Sequence, residues 1–395
     1  MFHLALVAVL FAVATPQAAS HQSRIMSIPP PSGSFTVGRI SYDWVDRSRP
    51  EVLSKVPNAR REIVVDIWYP ARPGKLKSVI APYFPHAAQI GKRSAAAEAE
   101  RNNWGALWTT IASGRVHAQV YEDAPGAAVE AHFPLIIFSH AFNGEPWAYT
   151  QEITELVSHG YVVATIHHTY EVTVAAFPDG RIIPFSAENA RGSEAPSLEK
   201  MLQWAEPRVN VWAADILFTL DQLTRLKAAR QNRNQKNREN APAPFAGQLD
   251  LDHVGAMGHS FGGFAAERAC ELDQRIKVCL NQDGGLSGPF PDFAGGHLPT
   301  QPLMVLSSAL GPAPSDEELK ALRMTREAFE KDEAEVQGRL RGIFRAAPVG
   351  RTTSRSNSPA SVILALPICL CCELLAMRMT LRPRFTRCNL PSRTL

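Results

Sequence analysis

Five residues in this chain carry a recognisable chemistry: Gly258-His259-Ser260-Phe261-Gly262, followed by Gly263. A serine hydroxyl is a poor nucleophile unless it is held clear of the backbone beside a base. A strand-to-helix turn flanked by glycines holds it so, because glycine tolerates the tight φ/ψ and lets neighbouring backbone approach. The context fits. A strand-like run, Val254 to Met257, leads into Ser260, and a helical run with Phe264, Ala265 and Ala269 leads out. Ser260 is therefore the candidate nucleophile of an acyl transfer.

Such a reaction needs two N–H donors for the oxyanion of the tetrahedral intermediate. One is the backbone N–H of Phe261, next to the nucleophile. The other should come from a loop after an earlier strand. Phe138-Ser-His-Ala-Phe-Asn-Gly144 leaves an apolar strand and precedes a helix, so the backbone N–H of Phe142 is the second candidate. His140 lies in this loop and reads as a structural histidine that fixes it, because it precedes Ser260 in the chain. The acid should emerge at the same sheet edge. The strand Ile276-Lys-Val-Cys-Leu-Asn-Gln runs into Asp283 and two glycines, and the next strand, Pro302 to Ser307, is followed by no acid before Asp316. Asp283 is the candidate acid, with a turn-capping aspartate as the plainer alternative.

The elements that must position these residues read as one α/β domain over residues 31–347 with a mostly parallel sheet flanked by helices. Ile63, Val65, Ile67 and Tyr69 alternate in a half-buried strand that Pro70 ends. Leu135 to Phe138 and Tyr161 to Ile166 are short apolar runs suited to strands buried on both faces, joined by a helix over residues 151–159 that Gly160 terminates. A longer helix follows from Val209 to Leu226, with Trp212, Ile216, Leu220 and Leu223 on one side. Residues 227–247 read as a solvated loop. Cys270 and Cys279 could pair in an exported protein, but nine residues apart across a helix and a strand they read rather as two buried thiols.

The 395-residue chain has an ordinary globular composition and a net charge of only +3, which excludes disorder, a multi-span membrane protein and a charge-based case for nucleic acid. The N-terminal run Leu4 to Ala14 is too short to span a bilayer. With the small residues Ala18-Ala19-Ser20 after it, it reads as an export signal over residues 1–20 of a secreted or periplasmic protein, although no Lys or Arg precedes it. The average charge conceals a break. Residues 348–395 hold seven arginines (Arg351, Arg355, Arg378, Arg382, Arg384, Arg387 and Arg393), four of the six cysteines and a single acid, Glu373. This tail reads as an unselected or disordered segment rather than as a membrane or nucleic-acid contact.

Gly-His-Ser-Phe-Gly-Gly, the strand-borne Asp283-Gly, Phe-Pro-Leu-Ile-Ile-Phe-Ser-His, Glu155-Leu-Val-Ser-His-Gly-Tyr-Val-Val-Ala and Ile67-Trp-Tyr-Pro together resemble the platelet-activating-factor acetylhydrolase family, α/β-hydrolases related to dienelactone hydrolases. The resemblance implies Ser260 as nucleophile, Asp283 as triad acid and the Phe142 and Phe261 N–H groups as oxyanion hole. It implies hydrolysis of short or oxidised acyl esters, with a small-molecule ester or a phospholipid as substrate and no metal or cofactor; contact with a peripheral lipid surface is compatible with such a substrate. Two positions depart from the family pattern. Ala141 stands where the family has glycine, which narrows or reshapes the oxyanion loop. The triad histidine, expected downstream in His-x-x-Phe-(Ser/Thr)-Asp, is missing: all twelve histidines lie at or before His297. His297 is a weak fallback base, since it precedes the strand that should separate acid from base.

The compositional break supplies an explanation, a shift of reading frame near residues 347–352. Reverse-translated and read from each codon's third base, Ala360 to Leu370 permits Ile-Ser-His-Leu-Ser-Phe-Thr-Asp-Leu-Pro, which contains the missing motif. The family's last strand and helix would then be disrupted in the chain as written. The expectation is a serine ester hydrolase through an acyl-enzyme, impaired by loss of its base. The alternative is a catalytically silent pseudo-hydrolase that binds a lipid or ester.

Overall fold

The computed structural model describes residues 26–72, 80–83, 116–186, 188, 198–231, 243–284, 299–306, 315–321, 325–331 and 334. The proposed export signal, His297, the tail from 348 onward and the last strand and helix expected there lie outside these residues. Twelve strands form a ten-stranded sheet and a two-stranded one. In chain order they are β1 (Met26–Ser27), β2 (Thr36–Pro50), β3 (Arg60–Ala71), β4 (Ile80–Pro82), β5 (Val116–Glu122), β6 (Phe133–Ser139), β7 (Val162–His167), β8 (Val174–Ala176), β9 (Ile182–Pro184), β10 (Leu249–His259), β11 (Ile276–Gln282) and β12 (Leu303–Leu306). The helices are α1 (Thr150–Ser158), α2 (Leu198–Gln231), α3 (Phe261–Leu272) and α4 (Asp316–Ala321).

The large sheet runs β1-β5-β2-β3-β7-β6-β10-β11-β12, with β4 paired to β5. From β7 to β12 every pairing is parallel, whereas β3 is antiparallel to both β2 and β7. The expected mostly parallel sheet is therefore present, and it begins at Met26, upstream of residue 31. The large sheet is buried on both faces because its strands alternate between two apolar layers. Ile63, Val65 and Ile67 of β3, Leu135 and Ile137 of β6, and Val254 and Ala256 of β10 pack with Trp212, Ile216 and Leu220 of α2 and with Ala265 and Ala269 of α3. Trp68, Phe138 and Met257, on the opposite side of the same strands, pack with Ile153 and Val157 of α1.

Three expectations are corrected. Strand β3 is not half-buried: Val64, Asp66 and Trp68 are buried as well. The β8–β9 hairpin contributes to this, since Val172, Ala175 and Phe177 pack on Val64, and β3 continues through Pro70 to Ala71. Helix α2 is longer than its periodic stretch, running from Leu198 through Pro207 to Gln231. Apolar spacing marks only the part that packs on the sheet. Cys270 and Cys279 are not free thiols but a disulfide, with their Cα atoms 6.4 Å apart. The end of α3 packs directly against β11, so a helix residue and a strand residue nine positions apart become neighbours in space.

This disulfide ties the helix that follows Ser260 to the strand that precedes Asp283. Closing so short a loop restricts the unfolded chain and contributes about 2–3 kcal/mol. Replacing both cysteines by alanine should lower the unfolding free energy by about that amount, read as a reduced urea midpoint, with a steeper slope as the unfolded chain expands.

Candidate active site

Ser260 sits between the end of β10 and the first residue of α3 with φ 52° and ψ −119°, a left-handed backbone that costs a residue with a Cβ about 1–3 kcal/mol. Backbone contacts hold it there. The Ser260 N–H donates to the carbonyl of Gln282 (2.8 Å), and the Ser260 carbonyl accepts from the N–H of Gly263 (2.9 Å). The glycine of the motif has a steric reason at Gly262: a Cβ there would lie 2.2 Å from the carbonyl oxygen of Ser139 and 2.5 Å from that of His140. Only glycine lets the first turn of α3 rest on the backbone that leads into the oxyanion loop.

That loop leaves β6 as His140-Ala141-Phe142-Asn143, with Asn143 at φ 55°. The Gly144 N–H donates to the Ala141 carbonyl (2.7 Å) and the Asn143 N–H to the Glu171 carbonyl (2.9 Å). The Ala141 N–H donates to the Tyr149 hydroxyl (3.3 Å). Among the described residues the N–H groups of Phe142 and Phe261 have no hydrogen-bond partner, as an oxyanion hole requires. The Phe142 ring packs edge-on against Phe185 (5.5 Å) and Trp204 (5.0 Å) and lies tilted 5.6 Å from Phe261, so an aromatic wall stands beside these donors.

Asp283 follows β11 at φ 51°, and its N–H donates to the Leu306 carbonyl (2.6 Å). The Asn281 side chain locks the turn. Its Oδ1 accepts from the Gly284 N–H (2.7 Å), while its Nδ2 donates to the Gly284 carbonyl and to Glu267 Oε1 (both 2.8 Å). Burial pushes the Glu267 carboxyl up to about 7, against the lowering effect of that Asn281 bond. Because β10 and β11 pair with His259 opposite Gln282, Ser260 and Asp283 leave the sheet at the same level. The structure thus brings the four sequence-predicted groups, Ser260, Asp283 and the Phe142 and Phe261 amides, to one edge of the sheet. His297, the fallback base, lies outside the described residues.

Two histidines sit near the site. His259 is partly buried, and burial draws its pKa below the usual value while the Asp283 carboxylate raises it. His140 is wholly buried. Its Nδ1–H donates to the Ala141 carbonyl (2.6 Å) and its Nε2 accepts from the His168 N–H (3.3 Å), which fixes a neutral ring. Burial and the neighbouring His168 hold its pKa well below 6.5.

Beneath the loop lies a network that sequence reading missed. His168 places Nε2 3.1 Å from Ser139 Oγ and Nδ1 2.9 Å from Asp215 Oδ2, and its ring stacks on Trp212 at 3.8 Å. Asp215 is also bound by Arg61 (2.6 Å) and Arg49 (2.8 Å). All three members of the Ser139–His168–Asp215 array are fully buried, which sets them apart from a substrate-accessible triad. Burial pushes the Asp215 carboxyl upward, but Arg61 and the hydrogen bond with His168 hold it well below the carboxylate range. The signal available in the sequence was an acid on the apolar face of α2, between Trp212 and Thr219.

A mostly parallel sheet flanked by helices, with a strand–serine–helix turn at its carboxyl edge, defines the α/β-hydrolase class. The family model described as "Platelet-activating factor acetylhydrolase, isoform II" matches residues 19–308. The chain belongs to that family. It is 27% identical over 286 residues to a "Probable 1-alkyl-2-acetylglycerophosphocholine esterase" of Arthroderma benhamiae, covering 70% of this chain and 64% of that protein. It is 25% identical over 185 residues to the "Platelet-activating factor acetylhydrolase" of Canis lupus familiaris, covering 45% of this chain and 40% of that one. The chain thus spans less than two thirds of these relatives' own length. Among solved structures, a ferulic acid esterase from Streptomyces cinnamoneus aligns at 22% identity with a TM-score of 0.49, covering 78% of this chain and 73% of that chain.

Because burial, acting first, lowers the His168 pKa to about 4, the ring is neutral in the fold and takes up a proton more readily in the unfolded chain. Its contribution to stability is complete above about pH 6.5 and is lost as the pH falls toward 4, and His140 acts in the same direction. The urea midpoint should therefore drop between pH 7 and pH 5. The drop should be smaller in His168→Gln, measured by the same titration.

Proposed function

We propose that the protein is an exported serine ester hydrolase that acts through an acyl-enzyme on short or oxidised acyl esters, with acetyl-phospholipid-like substrates first among them. The observation that carries this reading is the strained Ser260 beside two N–H groups, those of Phe142 and Phe261, that have no partner among the described residues. In this mechanism Ser260 Oγ attacks the ester carbonyl as a histidine removes its proton, and the two amides receive the oxyanion. The tetrahedral intermediate then expels the alcohol, which takes the proton back, and water releases the acyl group by the same route. Asp283 orients the histidine. Each oxyanion donor contributes about 10²–10³ in turnover.

The names of the relatives, an acetylglycerophosphocholine esterase and an acetylhydrolase, support an acetyl ester as substrate. The aromatic wall around Phe142 supports a compact apolar acyl group. The Cys270–Cys279 disulfide supports export, since disulfides persist in oxidising compartments. Among the described residues no helix is long and apolar enough to cross a membrane.

The sequence holds no histidine beyond His297, so a second reading stands beside the first: a silent pseudo-hydrolase that binds an ester without acylation. Loss of the base costs about 10⁶ in turnover in a serine hydrolase. Hydrolysis of p-nitrophenyl acetate by the chain as written, by a frame-repaired chain and by Ser260→Ala of each separates the readings. The expected outcome is strong Ser260-dependent turnover from the repaired chain only. Ser260-dependent turnover from the chain as written would point to a histidine it already contains, with His297 the first to replace. A repaired chain as inactive as its Ser260→Ala variant would leave the binding reading. An uninterrupted frame in the genomic DNA would remove the frameshift account.

A further inference from the structure

The three functional positions share a feature that their own elements do not explain. Phe142, Ser260 and Asp283 lie on a loop, a strand-to-helix turn and a strand end that are far apart in sequence. The residue immediately before each of them is held at the start of α1, by Tyr149, which precedes Thr150, or by Glu152 in the first turn. The Ala141 N–H donates to the Tyr149 hydroxyl (3.3 Å), and the same hydroxyl lies 2.7 Å from His259 Nδ1. One helical turn on, Glu152 Oε1 accepts a hydrogen bond from Gln282 Nε2. Ala141, His259 and Gln282 directly precede Phe142, Ser260 and Asp283.

The contacts are made to one face of the sheet. His259 and Gln282 are paired across the parallel β10–β11 ladder, so their side chains emerge side by side. Tyr149 and Glu152 are three positions apart, the spacing that puts two side chains on one face of a helical turn. The Tyr149 ring is itself fixed by packing on Phe138 of β6 at 4.7 Å, and Ile153 and Val157 anchor α1 in the apolar layer behind it. A shift of α1 would therefore move oxyanion donor, nucleophile and acid relative to one another.

We propose that the start of α1, Tyr149 just before the helix together with Glu152 in its first turn, is a common brace for the active site, the two acting as positioning residues that set the distances among the Phe142 N–H, Ser260 Oγ and Asp283. This inference rests on the proposed roles of those three groups. Neither side chain touches the reacting atoms in this scheme. Each acts through the residue before a functional one. A displacement of about 1 Å at such a site costs as much as about 100-fold in the reaction it assembles.

The test avoids the missing base by measuring binding rather than turnover. n-Butylboronic acid takes a serine oxygen as the fourth ligand of boron as the hydroxyl proton leaves to solvent, and the resulting tetrahedral adduct presents an oxygen to the oxyanion donors. Affinity is measured by calorimetry for the full chain and for Ser260→Ala, Tyr149→Phe, Glu152→Ala and Glu152→Gln, with melting temperatures recorded for each. The expected result is Ser260-dependent binding, weakened tenfold or more in Tyr149→Phe and Glu152→Ala at melting temperatures near that of the parent. Glu152→Gln keeps an acceptor for Gln282 and should bind within about twofold of the parent, a rescue that a merely space-filling role does not require. Parent-like affinity in both Tyr149→Phe and Glu152→Ala would overturn the brace and leave the site assignment standing. So would equal weakening in Glu152→Gln and Glu152→Ala. Binding that survives unchanged in Ser260→Ala would overturn the site assignment and the brace with it.

Discussion

The parallel register between β10 and β11 is the constraint on which the site depends. His259 stands opposite Gln282, and the Ser260 N–H closes the ladder on the Gln282 carbonyl at 2.8 Å. That one pairing places two consecutive strand ends at the same height, so Ser260 and Asp283, 23 positions apart, leave the sheet together. A slip of one residue would turn every side chain of β11 to the opposite face, moving Cys279 off α3 and Gln282 off α1. The disulfide and the Gln282–Glu152 contact both oppose that slip, from opposite faces of the sheet.

Below the oxyanion loop the same rigidity is obtained electrostatically. Arg61 and Asp215 are buried, and Asp215 is shared with Arg49 and His168. Such a group of charges is costly to desolvate, and its contribution to net stability is small or even negative compared with an apolar filling. What it fixes is position. His168 presents Nε2 to Ser139 and its backbone N–H to His140, the two residues that lead into the loop. A neutral His168 with its proton on Nδ1, toward Asp215, accepts from the Ser139 hydroxyl, so the network specifies tautomer as well as place. Every link from Arg61 through Asp215 and His168 to Ser139 and His140 is a buried ion pair or hydrogen bond.

Much of this was legible from residue order. The Gly-His-Ser-Phe-Gly-Gly turn and the apolar runs of β6, β7, β10 and β11 announce themselves because local pattern and final environment agree: β7 is buried throughout, and β6, β10 and β11 each bury apolar residues that lead to the site. The mixed end of the sheet was not legible. Strand β2 carries Arg39, Asp43, Asp46 and Arg49 within fifteen residues, and some of these charges are paired with side chains of other elements, as Arg39 is with Glu122 and Arg49 with Asp215. The disulfide reads in the sequence as two buried thiols and the α1 brace is invisible there, for a related reason. Each joins elements whose proximity follows from sheet order, and no spacing in the sequence encodes that Tyr149 lies against His259.

Ser260, Asp283 and the Phe142 and Phe261 amides are placed by β6, β10, β11 and α3, and among the described residues β12 supports them through the Leu306 carbonyl, which accepts from the Asp283 N–H. Their geometry is carried by backbone ladders, by the close packing of Gly262 on Ser139 and His140, and by the Asn281 clamp on Gly284. None of these contacts involves the chain beyond Leu306. In the proposed mechanism the base is a further group that none of these contacts supplies. A serine site of this construction therefore divides into a preorganised half, fixed by β6, β10 and β11, and a base supplied from outside it. The contacts that fix the first half are those of the sheet register and of the Gly262 and Asn281 packing, and they hold whichever residue takes the serine proton in the proposed mechanism.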